Sequence, residues 1–164
     1  MRRTRALLFG VLLALVPSTP AMAAEPQIVA TLDGRPISMS EVSRYHCHDI
    51  EFPVIRCFRQ ASARILSISA EAEALQIAAA GIVYVTVYDL ASFAGSSFSI
   101  SQDYDSLAAV GWNDRVSSFK AKNAETGRFY ADWLHGGSSW AFCCNQSTGN
   151  LSTYSNTFSS VYRT

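Results

Sequence analysis

Tyr88-Asp89-Leu90-Ala91-Ser92-Phe93-Ala94-Gly95-Ser96-Ser97-Phe98 returns 42 residues later as Tyr130-Ala131-Asp132-Trp133-Leu134-His135-Gly136-Gly137-Ser138-Ser139-Trp140. Tyr88 maps onto Tyr130, Gly95 onto Gly137, Ser96 onto Ser138, Ser97 onto Ser139 and Phe98 onto Trp140. At the same offset Trp112 maps onto Tyr154, Ser117 onto Ser159 and Ser118 onto Ser160. Six of these eight pairs are identical and two are aromatic for aromatic, with no gap introduced. Serine is common here, so composition explains part of the agreement. The glycines, the aromatics and the fixed spacing are not explained that way. Two copies at this period predict two similar four-stranded units that bury their apolar faces together. Upstream, Ile82 to Tyr88 is a β-branched and aromatic run, and short strand-like pieces follow, separated by Gly, Ser, Asn and Asp. Residues 81–164 therefore read as all-β.

Each copy contains Tyr-x6-Gly-x-Ser: Tyr88, Gly95 and Ser97, then Tyr130, Gly137 and Ser139. A sharply folded hairpin needs a residue without a Cβ at positive φ, and a buried hydroxyl can bond the amides that such a turn exposes. The pattern resembles the Greek-key signature of the βγ-crystallins, in which an aromatic begins the folded hairpin, a glycine takes the strained position and a serine closes the turn. Phe93 stands two residues before the first glycine, as that resemblance implies, whereas His135 is a departure in the second copy. The fold so implied is an all-β Greek-key sandwich of two repeated motifs over residues 81–164.

A second feature lies downstream in each copy. Asn113-Asp114-Arg115-Val116-Ser117-Ser118 resembles the calcium loop of microbial βγ-crystallins: two Asn/Asp residues, two variable ones, then Ser/Thr and Ser. The matching stretch is Ser155-Asn156-Thr157-Phe158-Ser159-Ser160, with Ser155 where an Asn or Asp belongs. The resemblance implies ligands from both loops for each ion, through backbone carbonyls and the hydroxyl at the fifth position. Candidate metal residues are thus Asn113, Asp114, Arg115 and Ser117 in one loop, and Asn156, Thr157 and Ser159 in the other. Calcium takes six to eight oxygens, and a site with few carboxylates is weak. Asp114 is the one acid in either loop, so Ca2+ is expected as a weakly held ion. The same loops also read as plain structural turns.

Residues 24–80 look mixed. Ile28 to Leu32 alternates, Asp33-Gly34 is a tight-turn pair and Arg35-Pro36-Ile37 leads out, which predicts a short hairpin. Ser40-x-x-Ser43 with Glu41 suits a helix start, Pro53 interrupts any helix around it, and Ala61 to Ala79 predicts a helix with Ile65, Ile68, Ala72, Leu75 and Ala79 on one face. His46-Cys47-His48-Asp49 invites a zinc reading with Glu51 as base, set against a disulfide at Cys47 with surface histidines. Trp112, Trp133 and Trp140 read as core or corner residues rather than a sugar platform.

Arg2, Arg3 and Arg5, the apolar run Ala6 to Val16, and Ala21-Met22-Ala23 predict a secretory signal over 1–23, cleaved before Ala24. Its eleven apolar residues fall short of the roughly 20 needed to span a bilayer, so no membrane anchor is expected. The whole chain carries 13 basic and 13 acidic residues. Removing three arginines leaves 10 against 13, a net charge near −3 with no basic stripe, which argues against nucleic acid as a partner. Cys47, Cys57, Cys143 and Cys144 all lie in the exported part, an even count that predicts two disulfides, with a local Cys47–Cys57 pair favoured and the rest open. The expectation is a secreted, monomeric, non-enzymatic βγ-crystallin-like protein. The alternative is an inhibitor of an extracellular protease, since the Streptomyces metalloproteinase inhibitor family is similar in fold, export and cysteine count.

Overall fold

The computed structural model describes residues 27–74 and 83–164. The signal segment, its cleavage site and the end of the helix expected to reach Ala79 lie outside the described residues. In chain order the strands are β1 (Val29–Leu32), β2 (Arg35–Ile37), β3 (His46–Glu51), β4 (Val54–Phe58), β5 (Val85–Tyr88), β6 (Ser97–Ile100), β7 (Ser118–Ala121), β8 (Gly127–Tyr130), β9 (Ser139–Phe142), β10 (Ser147–Thr148) and β11 (Ser160–Arg163). Helix α1 (Ala61–Ala74) lies between β4 and β5.

The repeat seen in the sequence is a repeat of structure. Adding 42 to the bounds of β5, β6 and β7 gives the bounds of β8, β9 and β11. β5 pairs with β6 and β7, and β8 pairs with β9 and β11, all antiparallel. The remaining strand of each unit crosses over. β10, from the second copy, pairs with β7 of the first, and Tyr104, from the first copy, bridges to Val161 on β11. This exchange makes a double Greek key, because neither copy closes its own sheet.

Alternation along each strand sends one set of side chains inward. Val85, Val87, Phe98, Ile100 and Phe119 meet Phe129, Phe142 and Phe158, all at most 3% exposed. Ring centroids lie 5.2 Å apart for Phe119–Phe129 and 5.0 Å for Phe129–Phe158, within the range of favourable aromatic pairs. Trp112 is fully buried and stacks on Phe98, as a core residue should. Trp133, by contrast, is 60% exposed, because it rides on the outside of the second folded hairpin.

The N-terminal segment is built into this architecture. β1 and β2 form the expected hairpin around Asp33-Gly34. β3 and β4, which local reading did not anticipate, pair antiparallel, and β3 then runs parallel to β6. The result among the described residues is an eight-stranded sheet in the order β10-β7-β5-β6-β3-β4-β1-β2, facing the three-stranded sheet β11-β8-β9. The helix expected after Ser40 is instead a 3-10 turn over Met39–Arg44, started by Ser38, whose backbone N–H donates to Glu41 at 3.0 Å. Helix α1 lies over the outer face of the large sheet: Ser67 bonds His48 on β3, and Arg64 bonds Ser99 on β6. Among the described residues no helix is long and apolar enough to cross a membrane.

Candidate functional site

The two folded hairpins set the geometry around the loops. Gly95 and Gly137 both sit at φ +73°, and their neighbours Ser92 and Phe93, Leu134 and His135 are also left-handed. Phe93 meets Tyr88 edge-on at 5.7 Å, and His135 meets Tyr130 edge-on at 5.2 Å. His135 therefore fills the same position as Phe93 despite its different chemistry. The serine that closes each hairpin is not the one expected. Ser118 donates to the Leu90 carbonyl and Ser160 to the Asp132 carbonyl, each at 2.7 Å, whereas Ser97 bonds His46 and Ser139 accepts from Arg128. The closing hydroxyl comes from the last position of the downstream loop, so hairpin and loop form one unit.

The loops themselves meet across the pseudo-twofold. The Asp114 N–H donates to the Phe158 carbonyl at 3.0 Å, and the Asn156 N–H donates to the Val116 carbonyl at 2.9 Å. Asp114 and Asn156 are both left-handed, at φ 53° and 58°. Their side chains also cross. Ser117 Oγ donates to Asn156 Oδ1 at 2.9 Å, and Ser159 Oγ approaches Asp114 Oδ1 at 3.5 Å. The second and fifth positions of the two motifs are thus brought together reciprocally.

Two shallow cavities open at these crossings. One, of about 360 Å³, is lined by Asp132, Trp133 and Ser159. The other, of about 250 Å³, is lined by Asp89, Leu90, Asp114, Arg115 and Asn156. Asp89 and Asp132 escaped the motif reading because they lie on the hairpins, outside the six-residue loops. They add carboxylates to sites whose loops bring only Asp114. Asp89 Oδ1 is buried without a hydrogen-bond partner among the described residues, while its Oδ2 lies 3.9 Å from the Arg115 guanidinium. Asn113 and Thr157 face other tasks: Asn113 donates to Asp114 at 2.7 Å, and Thr157 donates to the Tyr154 carbonyl at 2.7 Å. Among the described residues no three of His, Cys, Asp and Glu cluster. A metal here would be held by carboxylate, amide and hydroxyl oxygens together, a donor set that suits a hard cation.

No family model matches the chain, and no curated protein sequence matches it. Among solved structures, a βγ-crystallin from an archaeon is 29% identical, with a TM-score of 0.45 over 50% of this chain and 98% of that one. A βγ-crystallin domain from Flavobacterium johnsoniae is 26% identical, with a TM-score of 0.43 over 49% of this chain and 93% of that one. A βγ-crystallin from Ciona intestinalis is 20% identical, with a TM-score of 0.45 over 49% and 98%. These neighbours are βγ-crystallin domains. The likeness extends over about half of this chain, and the double Greek key rests on the register and strand exchange described above.

Outside the loops the remaining candidates separate. Cys47 and Cys57 stand opposite each other on β3 and β4 and form the expected disulfide. Cys143 and Cys144, expected in a second one, are unpaired and exposed. They lie between β9 and β10, and the N-terminal pair is already satisfied within its own hairpin. The zinc constellation does not assemble either. His46 and His48 share the outer face of β3, but Asp49 points inward to Tyr104, and Glu51 is taken by Arg56.

Proposed function

We propose that this chain is an exported, non-enzymatic βγ-crystallin-like protein whose paired loops bind calcium weakly. The observation that carries the reading is the reciprocal meeting of Asp114 with Ser159 and of Asn156 with Ser117, each pair drawn from both repeats. Oxygens converging from two halves of a domain favour an ion that takes many oxygen ligands in flexible geometry. Asp132 and Ser159 would hold one ion, with the Asp114 carboxylate reaching Ser159 from the neighbouring cavity. Asp89, Asn156 and Ser117 would hold the other, where Arg115 competes for the Asp89 carboxylate. When bound, calcium supplies a cross-link between the two repeats, and no chemical step is asked of it. The non-enzymatic part rests on where the reactive-looking groups go: His46, His48 and Asp49 hold strands and helix together. Export is supported by the basic start, the apolar run and a disulfide suited to an oxidising compartment.

Thermal melts of the mature protein in chelator, in about 5 mM calcium and in matched magnesium test the site. With affinity near the extracellular range of roughly 10⁻⁴ to 10⁻³ M, calcium should stabilise by about 1–2 kcal/mol by mass action, a rise of a few degrees. Magnesium should do much less, because it demands tighter octahedral geometry. Asp114→Ala and Ser159→Ala should each reduce the calcium increment, and Arg115→Ala should enlarge it. One melting temperature in all three buffers would leave these loops as structural turns.

A further inference from the structure

Beneath helix α1 the outer face of the large sheet carries a buried positive charge. Arg64 is 6% exposed, a rare burial for a guanidinium unless a counter-charge accompanies it. Its Nη1 donates to Ser99, which in turn bonds Thr86 at 2.9 Å, but its Nε has no hydrogen-bond partner among the described residues. None of the ion pairs among the described residues involves Arg64, Lys120 or Lys122. The three line one cavity of about 450 Å³ between α1 and strands β5, β6 and β7. Small-molecule pockets run from about 300 to 1,000 Å³, so the space is of ligand size.

The rest of the lining is divided. Hydroxyls of Thr86, Tyr88 and Ser99 stand on the sheet side, where alternation turns them away from the core. Ile65 and Ile68 of α1, with Val83 ahead of β5, supply an apolar wall. Ile65 is 55% exposed, an apolar side chain left open beside buried charge. Arg64 is buried, Lys120 half-buried and Lys122 exposed, so the cationic lining runs from the interior out to solvent. The crowding is felt by the groups themselves. Partial burial of its otherwise exposed side chain lowers the Lys122 ammonium, and then repulsion from Lys120 and Arg64 lowers it further. Burial and then Arg64 likewise lower His46.

We propose that this cavity binds a small amphiphilic anion, a carboxylate or phosphate head held by Arg64, Lys120 and Lys122 with an apolar body against Ile65, Ile68 and Val83. An oxyanion of this kind gives the Arg64 Nε–H an acceptor and sits among three cations, and charge-assisted bonds to guanidinium are the strong ones. The site shares no residue with the paired loops, so it stands or falls independently of calcium.

Titration calorimetry of the whole mature protein in chelator, with octanoate, octyl phosphate, inorganic phosphate and octanol as probes, tests it. Octanoate, octyl phosphate or both should bind in the millimolar range or tighter, and their order identifies the head group preferred. Octanol and inorganic phosphate should bind at least about tenfold more weakly than the better amphiphile. Lys120→Gln/Lys122→Gln, at solvent-accessible positions, should keep its circular dichroism spectrum and lose at least about tenfold in affinity. Arg64→Gln should lose more, provided its spectrum is native. Silence from both amphiphiles, octanol or inorganic phosphate binding as well as they do, or undiminished binding by the folded double variant would each overturn the proposal.

Discussion

Gly95 shows how much one residue position can decide. Its φ of +73° is disfavoured for any side chain, and an added Cβ would fall 2.0 Å from Asp89 Oδ1. Gly137 repeats the case, with Asp132 Oδ2 at 2.7 Å. Both aspartates line the cavities at the loop crossings, so the glycines shape those cavities as well as the hairpins. Gly95→Ala should cost about 1–3 kcal/mol for the backbone region alone. It should also shift the Asp89 carboxylate, so the calcium increment should fall in Gly95→Ala beyond what Asp89→Asn retains. Melts of both variants with and without calcium check this. A Gly95→Ala protein that melts like the parent would show that the hairpin tolerates a side chain there. The contrast between Ser97 and Ser118 belongs to the same scale. The sequence places both at the fixed offset from their partners in the second copy, and only the folded path of the chain shows which hydroxyl reaches the hairpin carbonyl.

At the scale of elements, legibility followed the range of the interactions. β5 to β9 and β11 were readable because turn glycines, aromatics and alternating apolar residues mark each strand locally, and the second copy repeats the marks 42 residues on. β3 and β4 were not. His46-Cys47-His48-Asp49 alternates, but its outer positions are polar because helix α1 covers them with Arg64 and Ser67, a tertiary circumstance. The parallel pairing of β3 with β6 leaves no local trace at all. The candidate loops were legible as motifs, while Asp89 and Asp132 were not, since they enter from hairpins far away in sequence. The disulfide lies within the unforeseen hairpin and closes a loop with a sequence separation of 10. Cys47→Ala/Cys57→Ala should therefore destabilise by about 2–3 kcal/mol, toward the short-loop end of the usual range, as read by urea unfolding. Alkylation without reduction, followed by mass spectrometry, should label Cys143 and Cys144 and leave Cys47 and Cys57 untouched. Labelling of all four would mean that the hairpin bond does not form.

Across the whole molecule, two neighbouring residues on β3 tie the N-terminal hairpins to the Greek-key core and respond oppositely to pH. Asp49 reaches inward and accepts from the Tyr104 hydroxyl and the Ser101 N–H, each at 2.7 Å. Burial pushes its carboxyl up to about 6, although those two donors pull it back. His48 faces α1, and burial, with Arg64 and Arg56 adding repulsion, pushes it down to about 3. For Asp49 the folded state holds the proton more tightly than the unfolded chain does. Its contribution is full below the ordinary value of 3.8 and is lost as pH rises through 6. For His48 the folded state holds the proton less tightly. Its contribution is full above the ordinary 6.5 and is lost as pH falls toward 3. Between about pH 4 and 6 the two oppose, each changing stability by at most about 1.4 kcal/mol per pH unit. The histidine is displaced further from its ordinary value, so stability should rise gently with pH. Asp49→Asn should steepen that rise, because it removes the opposing contribution and keeps an acceptor for Ser101. His48→Gln should flatten or reverse it. Urea midpoints for the three proteins at pH 4, 5, 6 and 7 (values chosen to bracket roughly the ordinary Asp and His pKa range) decide the matter, since all other titrating groups are common to them. Three parallel profiles would show that neither residue titrates differently on folding, and that the join between hairpins and core is electrically silent.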